Sequence, residues 1–221
     1  MTASAQVGSA ALLSGSEVNV YGDVGVYSSY VWRGFKLYDG TVLQTGVGSA
    51  FRGLSMDLWA SNGLGHDEET ASSELNYAID YSLGLGLFSV SMGHTFYVFP
   101  PDASSTSEFH LGASLDIPGT PSVFWFRDYD EGAGNYFQVE LEHTARLSEF
   151  LSASANAAFG INDGLFLDGT GQDLLIGLDL VISLFEGLEL VPSINYSAVF
   201  GEMAEISEDM FFGGVALNFQ F

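Results

Sequence analysis

The chain predicts an all-β fold, a transmembrane antiparallel up-and-down β-barrel of about 12 strands, from three observations. Apolar residues recur at every second position. The connections between apolar stretches alternate between long and short, and no continuous apolar run is long enough for a membrane-spanning helix. The final stretch shows the period: from Phe211, the residues Gly213, Val215, Leu217, Phe219 and Phe221 fall on one face. Gly214, Ala216, Asn218 and Gln220 fall on the other. A hydrophobic chain patterned this way closes into a barrel, because only a closed sheet satisfies all of its backbone groups in lipid.

Strands are expected near 17–28, 41–51, 54–62, 72–83, 87–98, 106–116, 121–129, 134–145, 149–160, 172–184, 187–200 and 209–221. Each is close to the roughly 9–11 residues that a tilted strand needs to cross a bilayer. The first carries Val18, Val20, Val24 and Val26 on one face, with Tyr21 and Asp23 on the other. The second turns Gln44 away from lipid. In the third, Leu54, Met56, Leu58 and Ala60 alternate with Asp57 and Trp59, and in the fourth Leu75, Tyr77, Ile79 and Tyr81 oppose Glu74, Asn76 and Asp80. The polar parity continues through Glu108 and His110, Trp125 and Arg127, then Gln138, Glu140 and Glu142, and Asn156. The tenth strand repeats Leu174, Ile176, Leu178, Leu180, Ile182 and Leu184 by two, where a helix would need spacings of three and four. Asp173 and Asp179 share its polar face, and Glu189 and Asn195 continue it in the eleventh strand, against Leu188, Leu190, Ile194, Tyr196 and Phe200.

Short connections fall at 52–53, 84–86, 118–120, 146–148 and residue 186. Longer, more polar ones fall at 29–40, 62–71, 99–105, 130–133, 161–171 and 201–208. Short periplasmic turns and long outer loops are the rule for bacterial barrels, so both termini are expected in the periplasm and the localisation in the outer membrane. Aromatics at strand ends (Phe51, Tyr81, Phe88, Phe159, Phe200, Phe211, Phe221) suit interfacial girdles. A soluble β-sandwich or lipocalin-like barrel is the alternative. Twelve strands would leave such a barrel too wide to fill.

The domain reading is a flexible N-terminal segment, 1–16, followed by a barrel over 17–221. The segment is either a tail or a piece tucked into the lumen. Its Ala3-Ser4-Ala5 resembles the small-residue end of a cleaved signal, so the start reads as a mature form behind an initiator Met.

Across 221 residues, 5 Lys and Arg face 28 Asp and Glu, a formal charge of −23, although 47% of the chain is hydrophobic. That charge excludes nucleic acid as a partner and favours cations. Without cysteine there is no disulfide or thiolate metal site. The expected pore lining is Asp23, Asp57, Glu74, Asp80, Glu108, His110, Arg127, Glu140, Glu142, Asp173, Asp179 and Glu189. Arg127 reads as the basic residue of the inward strand faces, with Glu108 and Glu140 as neighbours, either a staple or a constriction.

Residues 27–34, Tyr-Ser-Ser-Tyr-Val-Trp-Arg-Gly, are followed by Gln44 and by Trp59-Ala60-Ser61-Asn62. Over roughly 20–62 this resembles the N-terminal signature of the TorF family of porin-like outer-membrane proteins. The resemblance implies an outer-membrane barrel of porin type and supplies neither a substrate nor site residues. Within it, Arg33 either folds over the lumen as a loop constriction or meets lipid headgroups beside Tyr30 and Trp32.

The expected function is therefore a narrow diffusion pore for small cationic or neutral solutes, with lipid as its surrounding partner, no cofactor and no catalytic residue. Homo-oligomerisation is left open. The alternative is a plugged barrel serving as a structural element, receptor or lattice unit, with 99–101 as a small apolar loop patch. Enzyme readings rest on His143 with Thr144, Ser152 and Asn156, or on the loop run His66-Asp67-Glu68-Glu69. Acid-rich loops around 128–131 and 163–173 offer oxygen ligands for calcium without EF-hand spacing.

Overall fold

Alternation along the strands resolves into a closed antiparallel barrel in the computed structural model, which describes residues 18–65, 73–99 and 105–221. The N-terminal segment, the His66 to Glu69 run and Pro100-Pro101 lie outside the described residues. The wall is formed by β1 (Asn19–Tyr27), β4 (Val42–Phe51), β5 (Leu54–Gly63), β6 (Ser73–Leu85), β7 (Phe88–Val98) and β8 (Thr106–Leu115). It continues with β9 (Ser122–Asp128), β10 (Asn135–Arg146), β11 (Leu151–Asp163), β12 (Thr170–Phe185), β13 (Leu188–Gly201) and β14 (Met210–Gln220). These 12 strands pair in chain order and β1 closes on β14, Tyr21 opposite Gln220 and Tyr27 opposite Gly214. No strand edge is left open among them, which is the condition for crossing hydrocarbon.

The outward parity is mostly apolar. Val24, Met56, Ile79, Leu178, Ile194 and Val215 are all exposed on the exterior. Phe88, Phe150, Phe185 and Phe221 ring the end that carries the short turns, and Tyr129, Phe137, Phe200 and Phe211 ring the long-loop end. These are the two girdles of an interfacial band. The turns are tight: Arg52 and Gly53 have φ of 50° and 85°, the two left-handed residues of a type I′ hairpin. Only glycine suits the second position, because a Cβ there would collide with the Ser82 carbonyl.

Two features depart from expectation. The loop 29–40 forms a hairpin of its own, β2 (Tyr30–Trp32) and β3 (Phe35–Tyr38), paired only with itself. The last long loop contains one helical turn, α1 (Met203–Ile206), whose Met203 is fully buried. Both turn apolar side chains into the lumen rather than toward solvent.

The facing of β9 is a correction. Glu108 stands opposite Asp128 and His110 opposite Phe126, so Phe124, Phe126 and Asp128 share the inward face with them. Arg127 stands opposite Phe109 and Asn135, and Trp125 opposite Leu111 and Phe137, on the exterior. Arg127 is therefore not a lumen residue. Both faces of β9 carry aromatics, so hydrophobicity alone assigned its parity the wrong way round.

The facing of the wall generates a stability test. Leu178 lies on the exterior near the middle of β12, and Leu178→Arg is expected to cost about 2–4 kcal/mol in lipid. Ser154, opposite Asp179 on the lumen side, should accept arginine at a much smaller cost. Urea unfolding of both variants in phospholipid vesicles, read by tryptophan fluorescence, checks the difference.

Candidate functional site

The hairpin crosses the lumen at the long-loop end. Its base is seated by Tyr30, which packs with Tyr27, Val42, Trp59 and Ala216, the Tyr30 and Trp59 rings 5.5 Å apart. Its turn is Arg33-Gly34, with φ of 49° and 82°. A Cβ on Gly34 would lie 2.9 Å from Cβ of Asp173 and 3.2 Å from Met203, so the tip reaches the opposite wall formed by β12 and the last loop. Position 34 thus needs glycine for its backbone and for its closeness to that wall.

Arg33 is buried and points across to β8. Its Nη1 donates to Glu108 Oε2 at 2.5 Å and its Nη2 to Oε1 at 2.9 Å, a bidentate pair. Tyr97 donates its hydroxyl to the same carboxylate at 3.2 Å. The guanidinium lies 4.0 Å from the Phe126 ring centre, 4.5 Å from Tyr136 and 4.6 Å from Trp32. An aromatic cage of this kind supplies cation–π attraction where water is excluded. Tyr136 in turn donates to Asp173 at 2.9 Å, so the cage is tied to β12 as well.

A second loop completes the closure. Asn162 is fully buried and holds Leu165 by two hydrogen bonds, accepting from its amide at 2.8 Å and donating to its carbonyl at 3.0 Å. Leu165 then packs on Phe126 and Tyr136. At the rim, Lys36 on β3 binds Glu208 at 2.7 Å and Asp39 at 3.1 Å. These hydrogen bonds, that to Glu208 first, push the Lys36 ammonium upward in pKa.

Beneath the hairpin a cavity of about 60 Å³ remains, lined by Arg33, Asp57, Asn76, Asp80, Glu108 and His110 with Trp59 and Tyr97. Tyr21 donates to Asp57 at 2.7 Å, and Nε2 of His110 lies 3.1 Å from Asp80 Oδ1. Glu74, buried above them on β6, accepts from Asn76 at 2.8 Å and from the Tyr30 hydroxyl. The remaining acids line the other side and the short-turn half. Glu140 accepts from Gln138 at 3.1 Å, and Glu142 accepts from Ser154 at 3.3 Å. Asp179 stands opposite Ser154 and Ser193, Glu189 opposite Asn218, and Asp23 shares the inward parity of β1 with Tyr21 and Tyr27.

Two groups of expected pore residues are therefore separated in space. Glu74, Glu108 and Asp173 surround the hairpin, while Asp23, Glu140, Glu142, Asp179 and Glu189 lie away from it. The buried lumen cation is Arg33, delivered by a loop, and Arg146 sits at the short-turn rim with its Nε donating to Ser148. Neither the aromatic cage nor the pairing of Arg33 with Glu108, 75 residues away, was assigned from the sequence. The only available signal was an arginine inside a Tyr-x-Trp loop of a chain almost without basic residues.

The proposed hydrolase set does not assemble. His143 stands opposite Ala155 on the exterior, whereas Ser152 and Asn156 face the lumen. Asp128, an acid of the calcium candidate at 128–131, accepts from Thr106 at 2.7 Å and from the amides of Asp130 and Gly132 at 3.0 Å and Ala133 at 3.2 Å. It organises the loop after β9. Among the described residues no cluster of three or more metal-ligating side chains is present.

Solved structures share this fold. The NanC porin is similar with a TM-score of 0.54 at 9% identity, over 92% of this chain and 99% of that one. LpxR from Salmonella typhimurium is similar with a TM-score of 0.57 at 11% identity, over 91% of this chain and 99% of that one. The chain matches no family model and no curated protein sequence. A closed 12-strand barrel with an apolar exterior and a polar lumen is an integral outer-membrane protein.

Removing one member of the buried pair strands the other. Arg33→Met is expected to destabilise the protein by about 3–5 kcal/mol, and Arg33→Met with Glu108→Gln by less than either change alone would sum to. Equilibrium unfolding of the two single variants and the double variant checks this; strict additivity would deny the pair its role.

Proposed function

We propose that the protein is a narrow outer-membrane channel for small cationic or neutral solutes, its long loops facing outward and its termini periplasmic. The observation that carries the reading is the hairpin held across the lumen by Arg33 and Glu108. Beneath it is a cavity of about 60 Å³ whose wall mixes the acids Asp57, Asp80 and Glu108 and the amide Asn76 with aromatic side chains. A solute passing this level meets Asp57, Asp80 and Asn76 on one side and the Arg33–Glu108 pair on the other. Because Arg33 is neutralised by Glu108, the field at this level is set by the remaining carboxylates. At an effective dielectric of about 20, a unit cation about 4 Å from one carboxylate gains roughly 4 kcal/mol, and an anion loses as much. Tenfold discrimination needs only about 1.4 kcal/mol, so a few partly screened acids suffice.

The likeness of residues 20–62 to the TorF family supports this reading, as does the fold shared with the NanC porin. Width and charge perform the work, so neither a cofactor nor a catalytic residue is required. A plugged barrel is the second reading. It is favoured by the same hairpin, since a caged bidentate pair is costly to break.

Planar-bilayer recording of refolded protein separates the two. The native chain is expected to show small, cation-selective steps. Arg33→Gln, which frees the hairpin, should raise single-channel conductance about twofold or more. Glu140→Gln combined with Asp179→Asn should move the reversal potential toward zero. Silence from folded native protein, with current appearing only in Arg33→Gln, would establish the plugged barrel instead.

A further inference from the structure

Above the hairpin lies a second cavity that conduction does not explain. It measures about 230 Å³ and is lined by Trp32, Phe35, Leu37, Tyr97, Phe99 and Phe166, with Glu74, Thr106 and Glu131 between them. Trp32 organises it. The indole stacks on Phe35 at 6.0 Å with planes 24° apart, and meets Tyr97 at 6.1 Å and Phe166 at 6.5 Å edge-on. Leu37 and Phe166 remain exposed, so the cup is open at the long-loop end.

The cup is mostly apolar, and two acidic residues are among those that line it. Glu131 is held by its own amide, which donates to Thr106 Oγ1 at 3.1 Å, and Thr106 is fixed in turn by Asp128 at 2.7 Å. Glu74 is buried in the wall, with Asn76 and Tyr30 donating to it. Of the two cations on the hairpin, Arg33 is paired with Glu108 and Lys36 is engaged by Glu208 and Asp39. Aromatic faces beside acids, on a chain of net charge −23, complement a ligand with an apolar ring and a positive charge.

We propose that this cup binds a small aromatic ammonium compound, its ring against Trp32 and Phe35 and its charge toward Glu131 and Glu74. Size limits the ligand. The cavity is smaller than the roughly 300–1,000 Å³ of sites for drug-sized molecules, so it suits one ring with a short amine arm. Trp32 and Tyr97 line both this cup and the cavity below the hairpin, so the bound ring would rest on the partition between them. The site goes beyond the conduction reading, and its occupancy does not depend on that reading.

The test is titration calorimetry on the refolded full chain in detergent micelles, with phenethylamine, ethylbenzene and hydrocinnamate as probes of one ring and three charge states. Phenethylamine is expected to bind saturably, about tenfold or more tighter than hydrocinnamate. Glu131→Gln should weaken it about threefold. Phe35→Ala with Phe166→Ala should abolish saturable binding, while heat-modified gel mobility confirms that the barrel has folded. Ethylbenzene binding as tightly as the amine would overturn the assignment of a cationic ligand. Loss of all saturable binding in the native protein, or its survival in the Phe35 and Phe166 variant, would overturn the site itself. A silent bilayer recording would leave these readouts unchanged, so failure of the channel reading and failure of the site are distinct results.

Discussion

In hydrocarbon an unpaired amide or carbonyl costs several kcal/mol, and closure of β1 on β14 is what removes that cost here. Everything else in the wall follows from it. Closure fixes the register, because Tyr21 opposite Gln220 and Tyr27 opposite Gly214 leave no slip by one residue without inverting every face. Fixed register sends one parity to lipid and the other to the lumen. The lumen parity is then free to be acidic, since water and polar neighbours replace the lipid that would forbid it. The charge of −23 is tolerable only on such an inner surface and in the loops.

Inside that wall the decisive opposition is between desolvating Arg33 and pairing it. Moving a guanidinium out of water costs several kcal/mol even after relaxation. Against this stand a bidentate carboxylate and three aromatic faces within 4.0 to 4.6 Å. Burial of Tyr30 and Val31 adds an apolar contribution, of order 1.5–3 kcal/mol for a fully buried large side chain. Pairing and packing together win, and the hairpin lies inside the barrel instead of above it. Leu165 and Met203 come from separate loops, so the closure is shared rather than resting on one contact.

The wall was readable from the sequence because its signal is local. Leu174 to Leu184 and Phe211 to Phe221 each repeat by two over a whole strand, and the observed β12 and β14 coincide with those runs. Where both faces are apolar the signal fails. Phe124-Trp125-Phe126-Arg127 offers two plausible parities, and only the pairing of Glu108 with Asp128 decides between them. For the loop, the sequence left Arg33 over the lumen and Arg33 at the headgroups as equal alternatives, for a different reason. Tyr30-Val31-Trp32 is three residues long, too short for a period, and the same aromatics suit a membrane interface equally well. What draws it inward is Glu108, distant in sequence and close only after the barrel has closed. The acids themselves were legible, but their division into a paired group at the hairpin and another group away from it was not.

That division bears on how the two ends of the lumen act together. Arg33 cancels one carboxylate locally, so the hairpin narrows the lumen without reversing the sign of its field. The narrowing is made of aromatics as much as of the ion pair. Trp32 and Tyr97 form the floor of the outer cup and the ceiling of the inner cavity at once. Tyr97 also donates to Glu108, and Trp32 covers the guanidinium, so neither ring can turn without loosening the latch. Packed interiors shift between discrete arrangements rather than deforming smoothly. A ring seated against Trp32 therefore presses on the same two side chains that hold the hairpin in place. The outer cup and the inner cavity thus share one small group of residues, which the strand pattern alone does not define.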